Sequence, residues 1–264
     1  MSTVSSERKQ AIITLLKQNG QVKVIALAEQ FKVAPETIRR DLQELESNGM
    51  LRRVYGGATA VLFQNHEAPF VQRQSHNQRE KAAIGRCAAD LIQDGDTIVI
   101  DVGTTPIELV KAIHGRKRLT ILTNGLSVAF ALMEKINYGH FSGKVIVLGG
   151  ELNSEQQSIS GILCEKMMRN FRVNKAFISV GGISLTDGIS EYDPDEASMS
   201  QTFAKSAEQV IVIADHSKLG VRAFSHMLAF DEVDTIVCDT DAPEGWIEHL
   251  KETGVQWLTA HVDE

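Results

Sequence analysis

Cysteine is scarce in this 264-residue chain: Cys87, Cys164 and Cys238 are odd in number and isolated in apolar or helical stretches. Neither a disulfide framework nor a zinc site is expected from them. No apolar run is long enough to span a bilayer, and the opening Met-Ser-Thr-Val-Ser-Ser-Glu-Arg-Lys has no signal-peptide core, so a cytoplasmic protein without membrane contact is expected. Walker loops, HExxH, G-x-S-x-G and metal-spaced His/Cys sets are all missing, and the eight histidines are scattered. No metal or cofactor is expected. Only 6% of residues are aromatic, yet 43% are hydrophobic, enough for one small and one medium domain with a real core. There is no internal repeat and no low-complexity tract.

Basic charge is also in deficit, with 27 Lys and Arg against 34 Asp and Glu, which taken alone argues against nucleic acid as a partner. The average hides a partition. Residues 1–60 hold nine Lys/Arg and six Asp/Glu, net +3, leaving −10 for the remainder. An acidic body with a basic head repels DNA everywhere except at one docking face.

The head is organised around Ala34 to Leu45. Ile38, Leu42 and Leu45 recur at helical spacing as an apolar stripe, while Glu36, Arg39, Arg40 and Gln43 project from the other face. Pro35 suits the first helical position and Glu36 the positive end of the helix dipole. Two amphipathic segments precede it, 6–18 with Ile12, Leu15 and Leu16, and 24–31 with Val24, Leu27, Ala28 and Phe31. Met50 to Ala58 follows as a strand-like run carrying Arg52, Arg53, Tyr55 and a Gly56-Gly57 turn signal. Helix, helix, short turn, charged helix and basic hairpin make a winged helix-turn-helix whose second motif helix enters the major groove of double-stranded operator DNA. Arg39 and Arg40 offer forks for guanine edges or phosphates, Thr37 and Gln43 hydrogen bonds to bases, and Arg52, Arg53 and Tyr55 reach to the backbone. The competing reading is a helical dimerisation module with a solvated basic face.

Periodicity lapses over 59–79, read as a linker between a head at 1–58 and a second domain at 80–264; Phe70 and Arg73 are expected to pack on that second domain. Helical spacing resumes through Ala83, Ile84, Cys87 and Leu91. Short Val/Ile-rich runs then follow at 97–100, 119–122, 144–148, 176–179, 209–213 and 235–238, mostly separated by helix-like segments. Strands apolar on both faces imply an α/β domain with a mostly parallel sheet covered on both sides. Ligands of such sheets sit beyond the carboxyl ends of the strands. Those positions hold Asp101 to Pro106, Thr123-Asn124-Gly125, Gly149-Gly150-Glu151, Gly181-Gly182 and Asp215 to Lys218. The loop into Pro106 reads either as an anion cradle or as a capping box formed by Thr105 to Glu108. The acidic cluster Glu191 to Glu196 reads as acceptors for sugar hydroxyls, as a general base, or as a favourable helix start. Lys218 reads as a counter-charge for phosphate or as a solvated lysine.

Together Thr37 to Leu42, Leu51-Arg52-Arg53 with Tyr55 to Ala58, Asp101 to Thr105, Thr123-Asn124, Gly149-Gly150 and Asp215 to Lys218 resemble, in order, the pattern of the DeoR family of bacterial repressors, over nearly the whole chain. The resemblance implies a winged-helix domain joined to a sensor domain similar to ribose-5-phosphate isomerase, which binds a phosphorylated sugar and releases operator DNA; it also implies a homo-oligomer, dimer or tetramer. The effector contacts it implies are Asp101, Gly103, Thr104, Thr105, Thr123, Asn124, Gly149, Gly150, Asp193, Glu196 and Lys218. Three departures stand out. Ala34 and Lys23 occupy positions where the family usually has capping residues, each worth about 0.5–2 kcal/mol, and Ser200-Gln201 replaces a usually basic pair. The expected function is a repressor of a sugar-metabolism operon. An active sugar-phosphate isomerase with an accessory DNA-binding head is the alternative, and a nucleotide-binding regulator ranks below both.

Overall fold

The computed structural model describes residues 3–47, 51–59 and 67–262. Met50, residues 60–66 of the expected linker and the Arg52 side chain lie outside the described residues. The chain forms two compact units, residues 1–64 and 65–264.

The first unit runs α1 (Thr3–Asn19), β1 (Gln21–Lys23), α2 (Val24–Phe31), α3 (Pro35–Ser47), β2 (Arg52–Val54) and β3 (Gly57–Thr59). The strands form an antiparallel sheet in the order β1-β3-β2, so the wing gains a third strand from before the helix-turn-helix. Ile12, Leu16, Leu27, Ile38, Leu42 and Leu45, all on the expected stripes, fill its core with Val22, Leu51 and Ala58. Lys23 gives α2 no side-chain cap; the N–H of Val24 instead donates to the carbonyl of Gly56, at 2.9 Å, so the wing's turn satisfies the helix end. Gly57 is obligatory for this closeness, because a Cβ there would lie 2.0 Å from the Val22 carbonyl oxygen. Polar packing adds a mostly buried pair, in which Arg8 donates from Nε (2.6 Å) and Nη2 (3.1 Å) to the two oxygens of Asp41.

The second unit begins with α4 (Phe70–Arg73) and α5 (Gln78–Asp90), so residues 67–79, read as linker, fold as part of it. Phe70 is buried in its core. The chain continues through β4 (Thr97–Ile100), α6 (Thr104–Ala112), β5 (Leu119–Thr123), α7 (Leu126–Asn137), β6 (Gly143–Val147), the hairpin β7 (Glu151–Asn153) and β8 (Ser158–Ser160), α8 (Ile162–Met168) and β9 (Val173–Ile178). It ends with β10 (Gly182–Ser184), β11 (Gly188–Glu191), α9 (Pro194–Ser206), β12 (Ala207–Ile213), β13 (Ser225–Leu228), β14 (Thr235–Cys238), α10 (Ile247–Thr253) and β15 (Gln256–Thr259).

Seven strands, in the order β15-β14-β12-β9-β4-β5-β6, form one parallel sheet. Successive residues serve opposite faces. Val99, Ala176, Ile178, Val210 and Val212 join one core with Met199 and Phe203 of α9 and Met168 of α8. Ile98, Ile100, Phe177, Ile211 and Ile213 join the other with Ile84 of α5, Leu109 of α6 and Leu132 of α7. Every strand expected from the sequence is present; β15 and the side hairpins are additional. No described helix is long and apolar enough to cross a membrane.

Removing the Asp41 carboxylate strands the Arg8 guanidinium in a largely dry site. Asp41→Ala is expected to destabilise the first unit by about 2 kcal/mol or more, between the ranges for exposed and buried pairs, whereas Glu44→Ala, which breaks the more exposed pair with Lys9, costs less than about 1 kcal/mol. Urea unfolding of the full chain, following the transition of the first unit, checks both.

Candidate functional site

On α3 the apolar stripe is buried and Glu36, Arg39, Arg40 and Gln43 are exposed, with Thr37 half-buried between them. Arg39 donates to Glu36 at 2.9 Å, but both side chains are more than half exposed, so the pair is weak and readily exchanged for another acceptor. Glu46 at the other end of α3 accepts the Arg53 backbone N–H at 2.8 Å, fixing the wing to the helix. Tyr55 stands fully exposed at the wing's tip, beside Gly56 at φ 78°. Helix face and wing thus present arginines and a tyrosine from a rigid support.

In the second unit the strand order reverses between β4 and β9: the chain leaves β4 towards β5 and β6, and leaves β9 towards β12, β14 and β15. Helices on either side of that reversal cover opposite faces, which opens a crevice at the carboxyl ends of β4 and β9. The lips are tied by the Ser179 hydroxyl, which donates to the Val102 carbonyl at 2.5 Å. Gly103, at φ 122°, starts α6 and sits against Ser179, where an added Cβ would meet Oγ at 3.0 Å. The capping box expected from Thr105 to Glu108 does not form, because Gly103 is the N-cap and offers no side chain. The first-turn amides of α6 therefore have no cap oxygen, and the hydroxyls of Thr104 and Thr105 make no hydrogen bond among the described residues.

Asp101 is buried on the β4 lip, accepting from the Val102 N–H at 2.8 Å and from the Ser200 hydroxyl at 2.9 Å. Burial pushes its carboxyl up to about 7 despite these two bonds, and the charge of Glu196 adds to the rise. Glu196 is buried too and is likewise pushed to about 7, chiefly by burial, against a bond from the Ser158 hydroxyl at 2.5 Å. Asn124, at the end of β5, donates Nδ2 to the Ile159 carbonyl at 2.9 Å, while its buried Oδ1 has no partner among the described residues. A buried acceptor left empty is costly.

The other expected contacts divide. Thr123 turns its hydroxyl to the Gly125 N–H at 3.0 Å, shaping the loop. Asp193 caps α9, accepting from the N–H groups of Asp195 and Glu196, so it serves the helix start. Gly149 and Gly150 lie exposed after β6; a Cβ on Gly150 would come within 2.4 Å of the Ser160 carbonyl oxygen, so packing against the β7–β8 hairpin accounts for it. Lys218, expected to be a counter-charge for ligand, is paired with Glu67 at 2.7 Å. Burial lowers its ammonium pKa, but Glu67 and Tyr192 outweigh that and hold it above the ordinary lysine range.

Glu67 belongs to a polar group that the sequence did not announce. It also pairs with Arg73, and Arg73 donates to Gln156 at 2.6 Å. Buried Lys81 donates to the Arg73 carbonyl, Asn77 to Asp215, and Glu191 is buried beside them with its carboxyl held well above the usual range by burial and by Glu67. Asp215 and Lys218 lie in one recognised motif and Glu191 in the acidic cluster, whereas Glu67, Asn77, Lys81 and Gln156 lie in none. The surface grooves along α7, of about 510 and 460 Å³, are by contrast lined largely by apolar side chains such as Leu126, Phe130 and Met133. Among the described residues no cluster of His, Cys, Asp and Glu is placed to hold a metal ion.

A winged helix with an exposed arginine face, joined in one chain to a parallel α/β unit whose polar groups converge at its switch point, defines a DNA-binding regulator with a separate sensing unit. The DeoR-like helix-turn-helix domain matches residues 8–62 and the DeoR C terminal sensor domain residues 76–240, and the chain belongs to the DeoR family of transcriptional regulators. It is 33% identical to the glycerol-3-phosphate regulon repressor of Escherichia coli (strain K12), over 95% of this chain and 97% of that one. To the transcriptional repressor AccR of Agrobacterium fabrum it is 34% identical, over 89% and 90% of the two chains. Among solved structures, the ribose 5-phosphate isomerase A of Methanocaldococcus jannaschii aligns over 54% of this chain and 55% of its own, with 14% identity and a TM-score of 0.39. The relatives are named as regulators, and this chain is a regulator and not an enzyme.

Asp101 and Glu196 titrate near 7 in the fold, against ordinary values of 3.8 and 4.5. Between those limits the folded state holds more protons than the unfolded state, so stability falls as pH rises through the window and the loss is complete above about 7. The melting temperature is expected to drop between pH 5 and 8, and Asp101→Asn to flatten that drop. A scan of thermal unfolding against pH on both proteins checks it.

Proposed function

We propose that this protein represses an operon of sugar metabolism and leaves its operator when a phosphorylated sugar occupies the switch-point crevice. The observation that carries the reading is the gathering of buried polar groups at one end of the sheet, among them an Asn124 Oδ1 with no partner among the described residues. Asn124 Oδ1, Asp101 and Glu196 offer acceptors for sugar hydroxyls. Gly103, Thr104 and Thr105 offer first-turn amides and hydroxyls, and Lys218 offers positive charge, to the anionic end. Thr123, Asp193, Gly149 and Gly150 shape the loops around these groups. The names of relatives support the same reading, since one is the repressor of a glycerol-3-phosphate regulon.

At the other unit, Arg39 and Arg40 read guanine edges or phosphates, Thr37 and Gln43 bases, with Glu36 beside them, and Arg52, Arg53 and Tyr55 hold the backbone. As a homo-oligomer the protein presents paired winged helices to two half-sites, at a spacing set by the assembly. Effector binding releases DNA only through a difference in affinity between the DNA-bound and released conformations.

Arg39→Ala or Arg40→Ala is expected to weaken specific operator binding by about 1–3 kcal/mol while leaving sugar-phosphate binding intact. Fluorescence anisotropy on the DNA upstream of the protein's own gene, at fixed salt, measures the loss; unchanged affinity in both variants overturns the assignment of α3.

A further inference from the structure

A cationic cluster of the second unit, Arg73 with Lys218, is occupied by the protein's own carboxylate. Glu67 divides its two oxygens, Oε1 accepting from Lys218 Nζ at 2.7 Å and Oε2 lying 3.0 Å from Arg73 Nη1. Both cations are held by other contacts as well. Arg73 donates Nε to the Ala68 carbonyl at 2.9 Å and Nη2 to Gln156, and Lys218 lies 5.6 Å from the centre of the Tyr192 ring in a turn capped by Asp215. Buried Lys81 adds a third positive charge, anchored on the Arg73 carbonyl. The site would therefore keep its shape and its charge without Glu67. Two oxygens bridging an arginine fork and an ammonium is also how a phosphate monoester binds, with greater charge and a third oxygen.

Glu67 differs from its partners in where it comes from. It lies eight residues beyond Thr59, the last residue of β3, close to the start of the second unit, and its side chain ties that starting segment to Arg73 and Lys218.

We propose that the Arg73–Lys218 pair is an anion site with two alternating occupants, the Glu67 carboxylate and the phosphate group of the effector, and that exchanging one for the other couples effector binding to the DNA-binding unit. The proposal rests on the sensor reading above and adds to it the mechanism of release. Glu67 acts as a tethered competitor: ligand affinity is reduced by the fraction of molecules in which the carboxylate is seated, and bound phosphate keeps the segment unfastened.

Calorimetric titration of the full chain with inorganic phosphate tests the exchange. Glu67→Gln, which keeps the shape and removes the charge, is expected to bind phosphate about tenfold or more tightly than the unaltered protein, the factor being set by the fraction of seated carboxylate. Adding Lys218→Met is expected to abolish that gain, and Glu67→Gln alone to weaken operator binding with no ligand present. Glu67→Ala, which also removes the carboxylate, makes the same comparison if the amide impairs folding. Phosphate affinity that is unchanged or weaker in both Glu67 variants overturns the proposal, as does a gain that survives Lys218→Met or an operator affinity that Glu67→Gln leaves unchanged. If the unaltered chain binds no upstream DNA, the repressor reading falls, and the phosphate titrations still decide the exchange.

Discussion

The reversal of strand order between β4 and β9 is the constraint on which the rest of the second unit depends. Parallel strands need crossover helices, and a sheet that grows in both directions from one pair must send those helices to opposite faces. The helices diverge at the reversal and leave a crevice at the strand ends there. Asp101 and Gly103 follow β4 directly and Ser179 follows β9, so topology brings together residues far apart in sequence. The first unit depends on a different constraint: Ile38, Leu42 and Leu45 must face inward, which turns Arg39 and Arg40 outward on the same helix.

Burying carboxyls is unfavourable unless something is gained. Asp101, Glu191 and Glu196 are all buried, and burial is the largest cause of the raised pKa of each. Ser200 explains part of this. It stands where the resemblance places a usually basic residue, and it gives Asp101 a hydroxyl at 2.9 Å in place of a positive charge. A neutral Asp101 can donate a hydrogen bond as well as accept one. Functional sites concentrate groups perturbed in this way, and here they cluster at the topological crevice.

Local pattern explains what was legible in the sequence. The three helices of the head carry a 3.6-residue periodicity, six of the seven strands of the large sheet are short Val/Ile-rich runs apolar on both faces, and the residues after each strand follow from the parallel topology. β15 escaped because Gln256-Trp257-Leu258-Thr259 is short and mixed in polarity, and β7, β8 and β10 because three-residue strands built with Ser, Asn and Gly show no period. The capping box failed on Gly103, whose φ of 122° no sequence pattern reveals. Glu67 falls in the stretch read as linker because its meaning is long-range: the ion pair from Glu67 to Lys218 joins residues 151 positions apart.

Two sites in one chain whose occupancies oppose each other are coupled reciprocally. The most direct measurement is the affinity of the full chain for triose, pentose and hexose phosphates, titrated with and without saturating operator DNA at the same salt. The account predicts that one of them binds more weakly to the DNA-bound protein, by the same factor by which that ligand weakens operator binding. Equal affinity for every phosphate in the two states would contradict it.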